Sequence, residues 1–467
     1  MRLLDNLGRL RREVGPITPE LSDALADHMN LRRGDVDEVV SFYSYLKVPL
    51  ETPRVCTGPI CDCFSARELL EGTPGAIEVA CLGHCDLAPV VLHGDEIVPE
   101  VVHRTNDGPA LRLDQPDELR PAPEVPPDRV LAELEASGLT GYGGAGFPTW
   151  RKWQAVLAQP GPRTVIVNAD EGEPGTIKDR YILELRPQLM LEGLEIAMRF
   201  CETDQAYVYL REEYATARAR LTEAIAARGL DVRIVVGAGS YICGEETALL
   251  ESMEGRRGMP RLRPPFPAES GLLGRPTLIN NVETLAHVPG IVRDGGANWP
   301  RTRLWSVSGC VREPGCYEAP LDVTARQLVE EYAGGATEEI GAVVPGGAAS
   351  GILPPAALDV PLTRDALREW GASPGSAGLQ VFPASYSVRR LLAETMRFFA
   401  EESCQKCTPC RIGNRALHHL FEGTLAMERT KVEEWLVAME RTSICGLGQA
   451  SPVPVRSVFR HWPELVA

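Results

Sequence analysis

No stretch of the 467 residues reaches about 18 uncharged apolar positions in a row, so nothing in it is expected to span a bilayer. Positive charge is in deficit: 48 Lys and Arg stand against 64 Asp and Glu, a formal net charge of -16. Affinity for nucleic acid rests on cations that neutralise phosphates, so a polyanion held by general electrostatics is not an expected partner. The opening segment, MRLLDNLGRLRREVG, has no uninterrupted apolar core followed by a small-residue cleavage site, as a signal peptide would. The expected compartment is therefore the cytoplasm. Internal repeats and low-complexity blocks are lacking as well.

Cysteine, by contrast, is plentiful. A reducing compartment keeps thiols free for metal ligation or catalysis, so the 13 cysteines are not read as a disulfide framework. Eight of them fall into two patterned sets. Cys63, Cys201, Cys243, Cys310 and Cys316 stand outside these and read as small buried or loop thiols.

The first set is EESCQKCTPCRIG, which places Cys404, Cys407 and Cys410 three residues apart around a proline. Ligands so spaced face one cluster if the backbone wraps a corner of it, and bacterial ferredoxins use this run for a 4Fe-4S cubane completed by a distant cysteine. Cys445, in TSICGLG, is the one cysteine that follows, at a helix end where glycines allow close backbone approach. Zinc held by four thiolates is the alternative, but such sites are built from two separated C-x-x-C pairs, so the pattern favours the cubane.

The second set pairs Cys56 with Cys61 in VCTGPIC and Cys81 with Cys85 in ACLGHC. Two thiolates on each of two irons would give a 2Fe-2S cluster, and zinc stays open on ligand count. His84 reads as a neighbour rather than a ligand, and the adjacent Cys63 competes with Cys61 for the count.

Along the chain, residues 1–113 read as a helical segment followed by a small α+β unit. PELSDALADHMNL forms a helix opening after Thr18, ETPRVCTGPICDC is irregular, and AIEVACLGHC and PVVLHGDEIVPEVV hold short strands. Residues 114–129, dense in proline and acid, read as a linker. From 130 to 297, strands such as RTVIVNAD, QAYVYL and VRIVVGAG alternate with helices, which predicts a mainly parallel α/β sheet. Residues 298–384 read as a compact β-rich domain and 385–467 as a helical bundle.

Three loops carry nucleotide chemistry. GYGGAGFP satisfies G-x-G-x-x-G through Gly141, Gly143 and Gly146, but it follows a helix, so an ordinary dinucleotide fold is not expected. Its glycines still permit close approach to a flat or phosphorylated ligand, with Lys152 supplying charge. VNADEGEPGTIKDR crowds Asp170, Glu171 and Glu173 into one loop, suited to ribose hydroxyls and flavin N–H groups or simply solvated. VVGAGSYICGEETALL runs strand, turn, helix, and its helix start near Gly244 offers N–H groups to a phosphate.

Together, SGLTGYGGAGFPTWRKW, VNADEGEPGTIKDR, GAGSYICGEETALLESMEGRRGMPRLRPPFPAESG, NNVETL, ESCQKCTPCR and SICGLG resemble the NADH-binding flavoprotein subunits of respiratory complex I and their relatives in NAD-linked hydrogenases and formate dehydrogenases. The likeness runs from about 130 to 467. The first 110 residues resemble the thioredoxin-like 2Fe-2S subunit that docks beside that flavoprotein, so the chain resembles a fusion of the two.

The resemblance implies a multidomain α/β protein: a truncated thioredoxin-like 2Fe-2S domain, a Rossmann-like FMN/NADH domain, a ubiquitin-like β-grasp domain and a helical 4Fe-4S bundle. It implies FMN held by Gly141, Gly143, Gly144, Lys152, Asn168, Asp170, Glu171, Tyr241, Gly244, Glu245, Glu246, Asn280 and Asn281, and NADH lying against Phe147, Glu173, Arg263 and Phe266. The implied activity is an NADH dehydrogenase (diaphorase) that exchanges electrons with a partner subunit carrying further iron-sulfur clusters. Three positions depart from the family: Tyr142 for the usual arginine, Trp150 for a glycine, and Ala155 for an aromatic. Arg263 keeps the charge of a usual lysine. EGEPGTIKDRYILE, VYLREEY and ESMEGRRGMPRLRPPFPA look closest to the beta subunits of NAD-dependent molybdenum or tungsten formate dehydrogenases. Complex I and the hydrogenase diaphorases share most of these residues.

Overall fold

The structure, a computed structural model, describes residues 2–466, so the terminal residues of the first and last expected domains lie outside it. Three helices open the chain: Arg2–Glu13, Pro19–Met29 and Arg33–Phe42. Thr18 caps the second as its position foretold, its hydroxyl accepting the Leu21 N–H, and Asn30 closes the helix in the left-handed region.

A mixed sheet follows. β1 (Arg54–Cys56), β2 (Ile77–Val79), β3 (Val91–His93) and β4 (Glu96–Val98) run in the order β2-β1-β3-β4, with β2 parallel to β1 and the others antiparallel. The stretch expected to be irregular therefore holds the central strand β1 and a helical turn, Pro59–Cys63. Three residues are too few to show periodicity; β1 forms because both its edges are paired and all three side chains are buried.

Residues 99–126 contain no helix or strand, but they are not a free tether. Asn106 brackets Glu318, and the Glu318 carboxylate accepts from the backbone of Ala110 and Leu111 at 2.8 Å each. The Arg199 and Arg228 guanidiniums donate to the carbonyls of Ala122 and Arg120. Of the segment expected as a linker, 114–129, Arg120 and Ala122 thus lie pinned to the α/β domain, and the last three residues already belong to the helix Pro127–Ser137.

The α/β domain is a fully parallel sheet, β7-β6-β5-β8, of β5 (Thr164–Ala169), β6 (Gln205–Leu210), β7 (Asp231–Val236) and β8 (Thr277–Asn281). β5 is almost wholly buried, as a parallel strand covered on both faces must be. Helices Pro187–Phe200 and Val282–Asp294 pack beside it so closely that a Cβ at Gly193 would collide with the Leu285 carbonyl. β8 goes unread in sequence because its apolar residues are few and are followed by two asparagines.

β9 (Thr302–Gly309), β10 (Gly315–Pro320), β11 (Ile340–Val344) and β12 (Gly378–Pro383) make a second mixed sheet, β10-β9-β12-β11, with a separate core around Trp305, Leu328 and Leu379. The chain then becomes helical: Val388–Glu401, Thr408–Glu422, Arg429–Thr442, Gly446–Ala450 and Pro452–His461. Gly413 lets the second and third of these approach, since a Cβ there would meet the Met439 thioether. No helix among the described residues is long and apolar enough to cross a membrane.

Candidate functional site: a nucleotide cleft between two thiol sets

The glycine loop sits between helices Pro127–Ser137 and Thr149–Leu157, closed by a bridge from Thr140 to Pro148. Gly141 N–H donates to the Phe147 carbonyl at 2.8 Å, and Gly144 and Gly146 take φ values of +110° and +66°, which favour glycine. A Cβ on Gly143 would face Asn281 at 3.5 Å, and one on Gly144 would face the Ser376 N at 3.9 Å. Backbone, not side chain, therefore lines this wall.

The facing wall is the carboxyl end of β5 and β8, where open α/β sheets bind ligands. Asn168 Nδ2 donates to the Gly244 carbonyl at 2.8 Å; Asn280 Oδ1 accepts from the Trp153 indole at 2.9 Å. Lys152 Nζ lies 2.9 Å from Glu246 and 3.1 Å from the Ile279 carbonyl. Tyr241 donates its N–H to Glu402 at 2.8 Å and its hydroxyl to Glu173, whose other oxygen accepts from Ala349 N at 2.8 Å. Glu173 thereby ties the α/β domain to the second mixed sheet.

One expectation is overturned. The helix start near Gly244 does not offer the N–H groups of Thr247 and Ala248, because Glu245 is the N-cap of Glu246–Met253 and its carboxylate accepts from them at 3.0 and 2.9 Å. An internal acid occupies the place foreseen for a phosphate. Glu171 is likewise turned inward, accepting from Asp179 N and Arg180 N at the start of helix Lys178–Leu185, and Asn281 caps Val282–Asp294. In sequence these three residues look like ligands because a cap and a ligand use the same oxygen.

Sequence reasoning also missed a buried ionic knot beneath the cleft. Lys178 Nζ, wholly buried, lies 2.6 Å from Asp179, 3.1 Å from Glu283 and 3.3 Å from Asn281 Oδ1. Burial alone would lower the lysine, but Asp179 and Glu283 hold it above its usual value. Burial also opposes ionisation of Glu283, yet Lys178 brings that carboxyl down to about 2. No local pattern marks such a knot, since Glu283 and Asn281 stand far from Lys178 along the chain.

Three of the four NADH-side candidates, Phe147, Arg263 and Phe266, are exposed, while Glu173 is half-buried. Phe147 and Phe266 keep 51% and 50% of their surface, unusual for phenylalanine, and the Arg263 guanidinium sits 6.0 Å from the Phe266 ring centre and 3.4 Å from Glu246. Tyr142, the departure from the family, is buried, donating its hydroxyl to the Thr302 carbonyl while the Arg303 guanidinium stacks 4.7 Å from its ring. Ala155 points to solvent.

In the carboxy-terminal set, Cys404, Cys407, Cys410 and Cys445 line one small apolar space with Ile242, Pro260, Ile444 and Leu447. Cys410 accepts from Asn414 Nδ2 at 3.4 Å and lies 3.2 Å from Ser403 Oγ. Burial pushes the Cys410 and Cys445 thiols up to about 12 and 11, so without a metal these two stay neutral, and a metal would supply the charge that ionises them.

In the amino-terminal set, Cys56 interacts with Cys61 and Cys81, and Cys81 with Cys85, all four buried. Gly83 N donates to Cys81 and Gly175 N, from the α/β domain, to Cys85 at 3.2 Å. Asp86 anchors the loop: Arg180 Nη2 lies 2.7 Å from both its oxygens and the Tyr181 hydroxyl donates at 2.9 Å, all fully buried. His84, with neither ring nitrogen partnered, packs edge-on against Tyr214, and burial with Arg180 and Arg211 keeps it neutral.

A cavity of about 360 Å³ joins these parts. It lies beside the glycine cleft rather than in it and is bordered by Cys81, Cys404, Asp170 and Tyr241. Asp170 Oδ2 is buried without a hydrogen-bond partner, and burial pushes the carboxyl up to about 8. The orphaned oxygen and the side-chain-free glycine wall fit a flat, hydrogen-bonding cofactor. The thiol sets fit clusters better than zinc: sulfurs around one tetrahedral zinc sit about 3.8 Å apart, whereas among the described residues no three cysteine sulfurs lie within 4.8 Å of one another.

Residues 134–290 match the family model described as the Nuo51 FMN-binding domain, and residues 390–467 match that of the NADH-ubiquinone oxidoreductase-F iron-sulfur binding region. An F subunit of NADH-quinone oxidoreductase from Rhizobium meliloti, the one numbered 2, is 41% identical over 377 residues, covering 74% of this chain and 89% of that protein. The corresponding F subunit of Aquifex aeolicus is 37% identical over 377 residues, covering 74% and 87%. A chain of the NAD+-reducing [NiFe]-hydrogenase in its H2-reduced state superimposes with a TM-score of 0.88 at 31% identity, over 99% of this chain and 92% of that one. The chain therefore belongs to the family of NADH-quinone oxidoreductase F subunits and is an NADH-, FMN- and iron-sulfur-dependent oxidoreductase.

Proposed function

We propose that the chain is a diaphorase subunit that moves electrons between NAD(H) and a partner catalytic subunit, with the cleft as the nucleotide end and the two thiol sets as cluster sites. The observation that carries this reading is the shared cavity: Cys81, Cys404 and the cleft residues Asp170 and Tyr241 border one space, so both thiol sets approach the nucleotide site.

FMN, when bound, exchanges a hydride with the nicotinamide and passes single electrons to iron-sulfur clusters. The chain's task is positional. Gly141, Gly143 and Gly144 keep side chains out of one wall, Asn168, Asn280 and Lys152 fix the other, and Asp170 offers a free oxygen to the ring edge. Phe147 and Phe266 supply stacking surface for NADH, with Arg263 supplying charge and Glu173 a carboxylate for ribose hydroxyls. The carboxylates of Glu171, Glu245 and Glu246 act from behind, through caps and through Lys152.

Cys404, Cys407, Cys410 and Cys445 hold the 4Fe-4S cluster, and Cys56, Cys61, Cys81 and Cys85 a 2Fe-2S cluster. The sheet order β2-β1-β3-β4 supports a thioredoxin-like unit over 1–113, shortened between Cys61 and Cys81. We place the FMN/NADH domain at 130–297, the β-grasp domain at 298–384, the cluster domain at 385–467, and the protein in the cytoplasm.

For the partner, the formate dehydrogenase reading rests on sequence segments alone. A hydrogenase-type partner is favoured by the likeness to the NAD+-reducing hydrogenase, which spans the amino-terminal unit as well. Identifying the subunits that co-purify separates the two. NADH-dependent reduction of a dye by the purified, FMN-loaded chain tests the diaphorase itself; no activity with FMN bound refutes it.

A further inference from the structure

The helix Thr408–Glu422 carries a cluster cysteine in its first turn and a different donor set in its last. His418, His419 and Glu422 each place a donor atom within 4.8 Å of the other two. The spacings i,i+4 and i,i+3 bring Glu422 within reach of both imidazoles. His418 Nε2 is 3.8 Å and His419 Nδ1 is 3.5 Å from Glu422 Oε2. Donors bound to one tetrahedral zinc at about 2.0–2.1 Å would sit about 3.4 Å apart, so the set needs only a small adjustment to close on an ion.

The outer contact of His418 is that of a ligating histidine. His418 Nδ1 lies 3.1 Å from the Ala393 carbonyl, which can only accept, so Nδ1 carries the proton and Nε2 presents its lone pair toward Glu422. Thr424 Oγ1, 3.1 Å from His419 Nδ1 and 3.4 Å from Glu422, bridges these two donors in the place an ion would take. Glu422 has no arginine or lysine partner among the described residues. The negative end of the helix dipole falls on this turn, which ends at Gly423 with φ +91°. His419 and Glu422 are about half exposed, leaving room for waters to complete a coordination shell.

We propose that His418, His419 and Glu422 form a surface site for a zinc-class divalent ion, separate from both thiol sets. Two imidazoles and a carboxylate without a thiolate suit zinc and its neighbours rather than iron-sulfide. Because His418 is tied to Ala393 of helix Val388–Glu401, the ion clamps the last turn of the cluster helix to its neighbour.

The test uses the cluster-loaded, chelator-washed chain, titrated with zinc chloride in a calorimeter beside the double variant His419→Gln/Glu422→Gln, with His418 kept to preserve the Ala393 contact. The wild type is expected to bind one zinc more than the variant, and zinc should raise its unfolding temperature alone. Equal isotherms and equal thermal shifts would mean an adventitious ion only and overturn the site. Flavin and cluster absorbance reports whether the double variant is folded; should it be lost, the isosteric Glu422→Gln supplies the same comparison.

Discussion

The two thiol sets use the same ligand under opposite conditions. In the carboxy-terminal set, Cys407 stays partly exposed and the surroundings are apolar side chains and helix ends. In the amino-terminal set all four thiols are buried, and the loop is fixed by ions from another domain: Arg180 on Asp86, and Arg211 on the Cys81 carbonyl at 2.8 Å. One set sits among its own helix ends with Ile242 and Pro260 beside it and stays open at Cys407; the other has every thiol buried and depends on ion contacts from the α/β domain for its shape. Ligand spacing alone does not reveal this, because access and anchoring are tertiary properties.

The largest expected effect breaks one side of the comparison. Cys445→Ala should abolish the 4Fe-4S paramagnetic signal while the FMN content stays intact; a surviving signal would mean that Cys445 is not the fourth ligand. Next, Arg180→Met should act on the other side. It leaves Asp86 charged and unpaired in the interior, a change that costs about 3–5 kcal/mol, and denaturant unfolding should show the loss with early proteolysis of residues 1–113. The carboxy-terminal cluster should be untouched.

A third experiment addresses the cleft between the sets. Burial holds the Asp170 carboxyl at about 8 in the folded chain, against about 4 when unfolded. Between those values the folded chain keeps a proton that the unfolded chain releases, so stability falls as pH rises through the window, by at most about 1.4 kcal/mol per unit. Asp170→Asn should flatten that slope in thermal unfolding from about pH 4 to about pH 8, the span set by those two values; an unchanged slope would assign it elsewhere. Smallest, Glu245→Ala should cost about 1 kcal/mol by uncapping helix Glu246–Met253, and a stability equal to wild type would return the Glu245 carboxylate to the ligand-binding role that the cap denies it.

What the sequence discloses follows the reach of each signal. The triple run at Cys404, the cap at Thr18 and the parallel strands are local patterns and are legible. β1 and β8 are too short and too mixed to read. Glu171, Glu245 and Asn281 lie in the right loops, but their capping role depends on which backbone N–H groups the fold brings beneath them. The Lys178–Asp179–Glu283 knot and the packed course of residues 99–126 need the assembled domains before any physical reason for them exists.

The central claim is that sulfurs from both ends of the chain hold inorganic clusters beside one nucleotide cleft. Elemental analysis of the anaerobically purified protein tests it most directly. It should return iron and acid-labile sulfide equivalent to one 4Fe-4S and one 2Fe-2S cluster per chain, together with FMN; zinc in place of iron and sulfide in the cysteine sets would contradict it.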